Sequence, residues 1–239
     1  MIFQISEYFL EIFSHLFFLS LMLLSAGAVG HFCLRKAEFH SLLEKLVFSV
    51  AVGLGVCALF LFFLALMGWL HKVLILILTL VCSAGAIIHI LRSGFLTQWL
   101  RNYKPHFKDL LVVVAIFHFG LLLLVTFYPP NAWDSTMYHL PFARQYLIDG
   151  RITVNTGLTF PVLPVLNHML FSWALSLKGH LLAQMIECVF LLLTAIGLYT
   201  WGLRQGQSAF GVSVAAFWLA HPLVLWLGRC AFVDIGVTL

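Results

Sequence analysis

The sequence predicts an all-α membrane protein, a polytopic transmembrane helix bundle with about six spanning helices and with interfacial or re-entrant helices between them. Of its 239 residues, 62% are hydrophobic and only 9% are charged, and the mean hydropathy is +1.04. A water-soluble domain of this composition could not cover its surface with polar side chains. Several apolar runs also approach the ~20 residues that a helix needs to cross about 30 Å of hydrocarbon.

The predicted spans are apolar runs bounded by charged or turn-forming residues. They cover residues 9–33, 46–69, 73–91, 110–127, 181–203 and 210–227. Glu7 precedes the first span, which has no basic leader or small-residue cleavage site, so we expect a retained helix and not a signal peptide. The five cysteines show no CxxC spacing, which predicts neither disulfides nor a cysteine metal site.

Basic residues orient these helices, because lysine and arginine concentrate in cytoplasmic loops. Their densest group lies between residues 92 and 108, so we expect that loop in the cytoplasm. The loop 129–178 is then extracytoplasmic, in a multi-pass protein that we expect in the bacterial inner membrane. The formal net charge of +4 follows mostly from such loops, which indicates membrane topology and not a nucleic-acid partner.

The chain divides into three predicted parts. Residues 1–93 form a three-helix transmembrane segment, residues 94–108 form a cytoplasmic basic linker, and residues 109–239 carry the polar groups of interest.

The stretch 161–178 is apolar but short, and it contains Asn167 and His168. Unsatisfied polar groups are costly in hydrocarbon, so we expect an interfacial or re-entrant helix whose Asn167-His168 pair lines the mouth of a cavity. In that topology, Asp234 emerges on the same face as Asp134.

A polar island at residues 133–150 begins with Asp134, which lies four residues before Tyr138. On a helix the two side chains would share one face. A carboxylate at this position could deprotonate an acceptor hydroxyl or help to hold a divalent cation. The alternative is a helix N-cap at Asp134-Ser135. The two roles are compatible, and the spacing does not choose between them.

The same island supplies three candidate binding groups. Tyr138 and His139 could bind a sugar or phosphate, and Arg144 could hold a phosphate through two hydrogen bonds. The alternative for residues 137–148 is an amphipathic surface helix with interfacial aromatic rings and an arginine that reaches to the interface.

A second acidic group, Asp234, follows Arg229 in an otherwise apolar sequence. Ionisable groups near membrane depth are costly enough to suggest function, and we expect Arg229 to contact substrate. The alternative is a local ion pair between the two. Gln184 and Glu187 are three residues apart on one predicted helix face, where they could pack against another helix or point into the same cavity.

The order of these features carries a family resemblance. A helix that travels outward is followed by Asp134 and Tyr138, then by Ala143 and Gly150, then by FPVLPVLNHML, and finally by AFVDIG with Asp234. This order resembles the membrane-embedded GT-C glycosyltransferases, especially the protein-mannosyltransferase and aminoarabinose-transferase branch. The resemblance covers about residues 110–239, and the sequence departs from the family pattern in having Ser135 where many relatives have a second acid.

The resemblance implies an inverting transfer of a sugar from a polyprenyl-phosphate donor to a hydroxyl acceptor on the extracytoplasmic side. It implies that Asp134 is the catalytic base and that Asp234 is the second acidic residue of the site. The residues themselves establish no cofactor and leave open whether a divalent metal takes part. The resemblance also implies further helices after Leu239, so we expect the chain to be the N-terminal part of such an enzyme or a shortened relative.

A non-enzymatic interpretation stays open beside this one. A short helical chain could be an accessory subunit whose surfaces pack against other membrane subunits of a larger complex. Asp134 would then be only a helix cap. In either case, the expected partners include membrane lipids.

Overall fold

Helices are the regular secondary structure of the described part of the protein. The computed structural model describes residues 2–93, 120, 124–154, 157 and 165–238. Its elements, in chain order, are α1 (Ile2–Cys33), α2 (Leu42–Leu66), α3 (Lys72–Ser93), a π-helical turn (Ser135–His139), α4 (Leu140–Asp149), α5 (Val165–Leu177), α6 (His180–Arg204), α7 (Ser208–Ala220), α8 (Pro222–Gly228) and α9 (Asp234–Thr238). The predicted all-α class is confirmed.

Four of these helices are long and apolar enough to cross a membrane, which makes the chain a membrane-embedded protein. Their qualifying stretches overlap the predicted spans in the first three cases and in the fifth. They are Phe9–Cys33, Leu42–Leu66, Lys72–Arg92 and His180–Arg204. The predicted span 110–127 lies outside the described residues except for Gly120 and residues 124–127.

The predicted span 210–227 is wrong as a single helix. The structure divides it at His221, whose backbone is extended with φ −72° and ψ 120°. Pro222 causes this break, because a proline disfavours the helical conformation of the residue before it and donates no backbone hydrogen bond. The resulting helices α7 and α8 have 13 and 7 residues, so neither has the length of a span.

Small residues bring helices α1 and α2 into close contact. A Cβ atom added to Gly30 would overlap the backbone oxygen of Ser49, and one added to Gly53 would overlap the backbone oxygen of Ala26. Within a bilayer, such small side chains let two helix backbones approach closely and gain van der Waals contact with each other. The glycines therefore determine how closely this pair packs.

One end of the bundle is marked by Glu44, at the start of α2. Its carboxylate accepts the backbone N–H of His40 at 2.6 Å, while the Ser41 hydroxyl accepts the backbone N–H of Glu44 at 3.1 Å. This arrangement resembles a capping box, except that Glu44 accepts the N–H of His40 and not that of the N-cap residue Ser41, and it satisfies donors at the start of the helix. Arg204, in the last turn of α6, also pairs with Glu44 at 3.3 Å. We call this the Glu44 end.

The opposite end is marked by Glu11 of α1, whose carboxylate lies 3.2 Å from the ammonium of Lys178. The turn after α2 reaches the same end, because the backbone N–H of Leu70 donates to the oxygen of Gly150 at 2.9 Å. Gly150 ends α4 in the left-handed conformation, with φ 67°, which favours glycine. We call this the Glu11 end.

The short helix α5 is buried in its middle, from His168 to Ala174. Its Ser172 hydroxyl donates to the Ala143 oxygen of α4 at 2.9 Å, and its Trp173 indole donates to the Thr79 hydroxyl of α3 at 2.8 Å. Thirteen residues of helix extend about 20 Å, less than the hydrocarbon core. Helix α5 therefore packs among the long helices without the length to cross beside them.

Candidate functional site

The polar island folds into the π-helical turn followed by α4. The backbone N–H of Leu140 donates to the oxygen of Ser135, five residues earlier, which defines the π pattern. Asp134 has helical torsions, with φ −62° and ψ −39°, and its side chain makes no capping hydrogen bond. The structure thus shows no N-cap role for Asp134, and its carboxylate is available for other contacts.

Asp134 and Tyr138 lie on one face of this turn, as their spacing predicts. The Tyr138 side chain hydrogen-bonds Asp134. Burial, together with that bond and the charges of Asp134 and Asp234, raises the pKa of Tyr138 to about 12. The phenol therefore stays protonated at neutral pH and can hold the carboxylate in position. The exposed ring of Trp133 contacts that of Tyr138 edge-on, with the ring centres 6.1 Å apart.

His139 and His168 form a hydrogen-bonded pair that joins the π turn to α5. The Nδ1 atom of His139 lies 2.9 Å from the Nε2 atom of His168, and both side chains are buried. Burial lowers the pKa of His139 to about 4, against the opposing effect of two carboxylates. Burial and the neighbouring His139 lower the pKa of His168 to about 3. Both rings are neutral at physiological pH.

Asp234 begins α9 with an exposed side chain. Its charge acts on Tyr138 and His139 in the same direction as the charge of Asp134. The ring of Phe232, two residues before Asp234, lies 6.1 Å from that of His139. The two carboxylates, far apart in sequence, therefore belong to the same region around the Tyr138-His139 pair. The alternative of an ion pair between Arg229 and Asp234 is not what the structure shows, because the two side chains form no salt bridge.

Arg229 instead borders a cavity of about 680 Å³. Asn131 and Gln184 add polar groups to its wall, and Leu124, Val125 and Phe127 supply apolar surface. The described residues of the cavity wall thus combine the Arg229 cation with neutral hydrogen-bonding groups and a hydrophobic side.

Gln184 borders this cavity and binds the segment in which the fourth predicted span ends. Its amide donates to the backbone oxygens of Thr126 at 3.2 Å and Tyr128 at 3.0 Å. The sequence left open whether Gln184 packs against a neighbouring segment or points into a cavity. In the structure its side chain does both. Sequence reasoning gave Asn131 no role; the signal is its position directly after Tyr128-Pro129-Pro130, where the apolar run ends.

The other predicted binding residues are placed differently. Arg144 is exposed on α4. The Asn167 amide donates to the backbone oxygen of Val233 at 3.0 Å, next to Asp234, and a Cβ atom at Gly236 would collide with that amide. Asn167 therefore connects α5 to the segment that carries Asp234.

Glu187 of α6 is fully buried beneath this segment. Its carboxylate oxygens make no hydrogen bond of good geometry with described residues, although the backbone N–H of Gly236 lies nearby and the charge of Asp234 acts on the group. The described residues contain no group of three or more His, Cys, Asp or Glu side chains that could hold a metal ion.

The buried histidine pair predicts that the protein loses stability in mild acid. The folded pKa values, about 4 for His139 and about 3 for His168, lie below the ordinary value of 6.5. The unfolded chain therefore binds protons first, and the free energy of unfolding falls as the pH drops below about 6.5. At about pH 5, one such histidine accounts for a loss of about 2 kcal/mol.

Thermal unfolding in detergent micelles, measured at about pH 7 and about pH 5, checks this expectation. The His139→Gln/His168→Gln variant is the control, because its remaining histidines are those of the parent protein. We expect the drop in melting temperature to be smaller in the variant. Equal drops in both proteins would contradict a neutral buried pair.

Comparison with known proteins identifies a similar chain but no activity. The uncharacterized protein SF2093/S2215 of Shigella flexneri is 29% identical over 184 residues, which are 76% of this chain and 90% of that protein. No family model matches the chain. No solved structure matches it either.

Proposed function

We propose that this protein is a membrane glycosyltransferase of the GT-C type. It transfers a sugar from a polyprenyl-phosphate donor to a hydroxyl acceptor on the extracytoplasmic side of the membrane. The observation that carries the proposal is the packing of the segment before Asp234 against His139, through the Phe232 ring, which brings the charge of Asp234 to the same residues as that of Asp134. Two carboxylates near one reacting centre are the charges that an oxocarbenium-like transition state requires.

The chemistry assigns a different task to each carboxylate. The acceptor oxygen attacks the anomeric carbon, the bond from that carbon to the donor phosphate breaks, and the phosphate leaves with the electron pair. Asp134 accepts the proton of the acceptor hydroxyl, while its hydrogen bond from Tyr138 fixes its direction. Asp234, which is exposed, stabilises the positive charge that develops on the sugar.

The cavity beside Arg229 supports a lipid-linked phosphate as donor. Its guanidinium can hold phosphate oxygens through charge-assisted hydrogen bonds. The apolar wall of Leu124, Val125 and Phe127 suits an isoprenoid chain. A water-soluble nucleotide sugar has no hydrocarbon chain to pack against that apolar wall.

The proposed sidedness follows from the basic loops. The strongest group of lysine and arginine residues lies between 92 and 108, just after α3, which leads away from Leu70. The Glu44 end is then cytoplasmic. The Glu11 end, which includes Lys178 and the C-terminus of α4, is extracytoplasmic.

A transfer assay tests the proposal. The full chain, in proteoliposomes, receives polyprenyl phosphates that carry radiolabelled mannose, glucose or galactose, together with membrane extract as a source of acceptors. Release of free polyprenyl phosphate reports turnover for any acceptor. We expect turnover with at least one donor and a loss of about 100-fold or more in Asp234→Asn.

Asp149→Asn is the matched control, because Asp149 is an exposed carboxylate at the end of α4 whose hydrogen bonds, among the described residues, come from its neighbours Gln145 and Thr153. It should retain the activity of the parent protein. Absence of turnover with every donor, combined with stoichiometric co-purification with a larger membrane complex, would replace the enzyme by the accessory-subunit interpretation.

A further inference from the structure

The hydrogen bond between His139 and His168 limits which ring nitrogens can carry a proton. A hydrogen bond between two neutral imidazoles needs one N–H and one lone pair. The 2.9 Å contact between Nδ1 of His139 and Nε2 of His168 therefore allows two arrangements. Either His168 donates from Nε2, or His139 donates from Nδ1. Each arrangement fixes the proton position on both rings.

The surroundings of His168 favour donation from His168. Its second nitrogen, Nδ1, is fully buried and has no hydrogen-bond partner among the described residues. The rings of Phe142 and Phe171 lie 5.8 Å and 6.4 Å from its own. If His139 were the donor, His168 would carry its proton on this enclosed Nδ1. A buried N–H without a partner is rarer in proteins than an incompletely satisfied acceptor.

The surroundings of His139 favour the same arrangement. Its Nδ1 atom faces His168, so its Nε2 atom is the nitrogen left for the site. That atom has no hydrogen-bond partner among the described residues and is not sealed from solvent. The charges of Asp134 and Asp234 act on this ring. Because Nδ1 is engaged with His168, Nε2 is the nitrogen left to meet these charges, and negative charge nearby favours an N–H over a lone pair at that nitrogen.

We propose that His139 is a hydrogen-bond donor of the site, whose Nε2–H binds a hydroxyl oxygen of the sugar, and that His168 is the positioning residue that fixes this tautomer. The proposal rests on the proposed function for the identity of the ligand. The two nearby carboxylates repel an anionic group, so the oxygen belongs to a neutral sugar hydroxyl. The phosphate has its own cation in Arg229. Fixing one ring nitrogen through the hydrogen bond of the other is a common way to orient histidine.

Nitrogen NMR of the purified full chain tests the tautomer without any assay of activity. The protein is labelled with ¹⁵N-histidine, and His139→Gln and His168→Gln assign the two ring signals. At neutral pH we expect both rings to be neutral and protonated on Nε2. In His168→Phe, the His139 ring should show a mixture of tautomers. A proton on Nδ1 of His139 in the parent protein would overturn the proposal.

The transfer assay then tests the donor role. A glutamine at position 139 places an amide N–H near the position of Nε2, whereas an asparagine places it near Nδ1. We expect His139→Gln to stay near the parent KM for the polyprenyl-phosphate sugar, and His139→Asn to raise that KM about tenfold, as for loss of one hydrogen bond. Equal KM values in both variants, with both proteins folded, would reject the donor role.

The two experiments separate this inference from the proposed function. If no donor is turned over but the Nε2 tautomer is found, the glycosyltransferase assignment fails while the positioning of His139 by His168 stands. If transfer occurs and His139 carries its proton on Nδ1, the assignment stands and this inference fails.

Discussion

Replacing Asp134 by asparagine is expected to lower the rate of sugar transfer by about 100-fold or more while leaving the protein folded. Asparagine has nearly the same shape and can still accept the hydrogen bond from Tyr138. It cannot accept the proton of the acceptor hydroxyl at neutral pH, and a positioned general base contributes about 10² to 10⁴ in rate. The loss should appear in kcat, because the substrates still bind.

Tyr138→Phe measures the contribution of the Tyr138 hydroxyl apart from that of the Asp134 carboxylate. This variant keeps the Asp134 carboxylate but removes the hydroxyl that holds it, so we expect a smaller loss, about tenfold. Unfolding temperatures of both variants should match the parent within a few degrees. If Asp134→Asn turned over donor at the parent rate, Asp134 would not be the general base.

The second large effect concerns stability. Gly53→Ala should destabilise the bundle, because the added Cβ atom would overlap the backbone oxygen of Ala26 in α1. Backbone atoms cannot rotate away as a side chain can, so helices α1 and α2 must separate. Overpacking of this kind costs about 1–3 kcal/mol. We expect a clear fall in the melting temperature in detergent micelles.

Gly55→Ala provides a matched control on the same helix. Outside the adjacent residues and the backbone of its own helix turn, no described atom lies within 4 Å of the position where its Cβ would stand, and alanine is favoured over glycine in a helix by up to about 1 kcal/mol. This variant should melt at or above the parent temperature. If both variants melted together, the close approach of α1 and α2 would not contribute measurably to stability.

The long helices could be predicted from the sequence because their signal is local. A run of about 20 apolar residues is sufficient for a span, and the structure confirms Phe9–Cys33 with the predicted bounds. The break at His221 was missed because the flanking residues are apolar, and hydropathy does not register the backbone restriction that Pro222 imposes.

In the candidate site, too, local features could be predicted from the sequence and tertiary contacts could not. The shared face of Asp134 and Tyr138 follows from a spacing of four residues on a helix. The contact of His139 with His168 does not follow from any spacing, because it depends on how α5 packs against α4. The burial of Glu187 is likewise a tertiary outcome, since its apolar helix could have presented that face to several neighbours.

The π-helical turn has a consequence for how this segment can change in evolution. An α-helix rotates by about 100° for each residue, so the extra residue in Ser135–His139 offsets the side chains before the turn from those of α4 by about that angle. Loss of a single residue here would leave an intact and regular helix. Asp134 and His139 are five residues apart across the π turn and would be four apart in that α-helix, so they would still share one face. The segment could therefore lose the turn and keep this pair together.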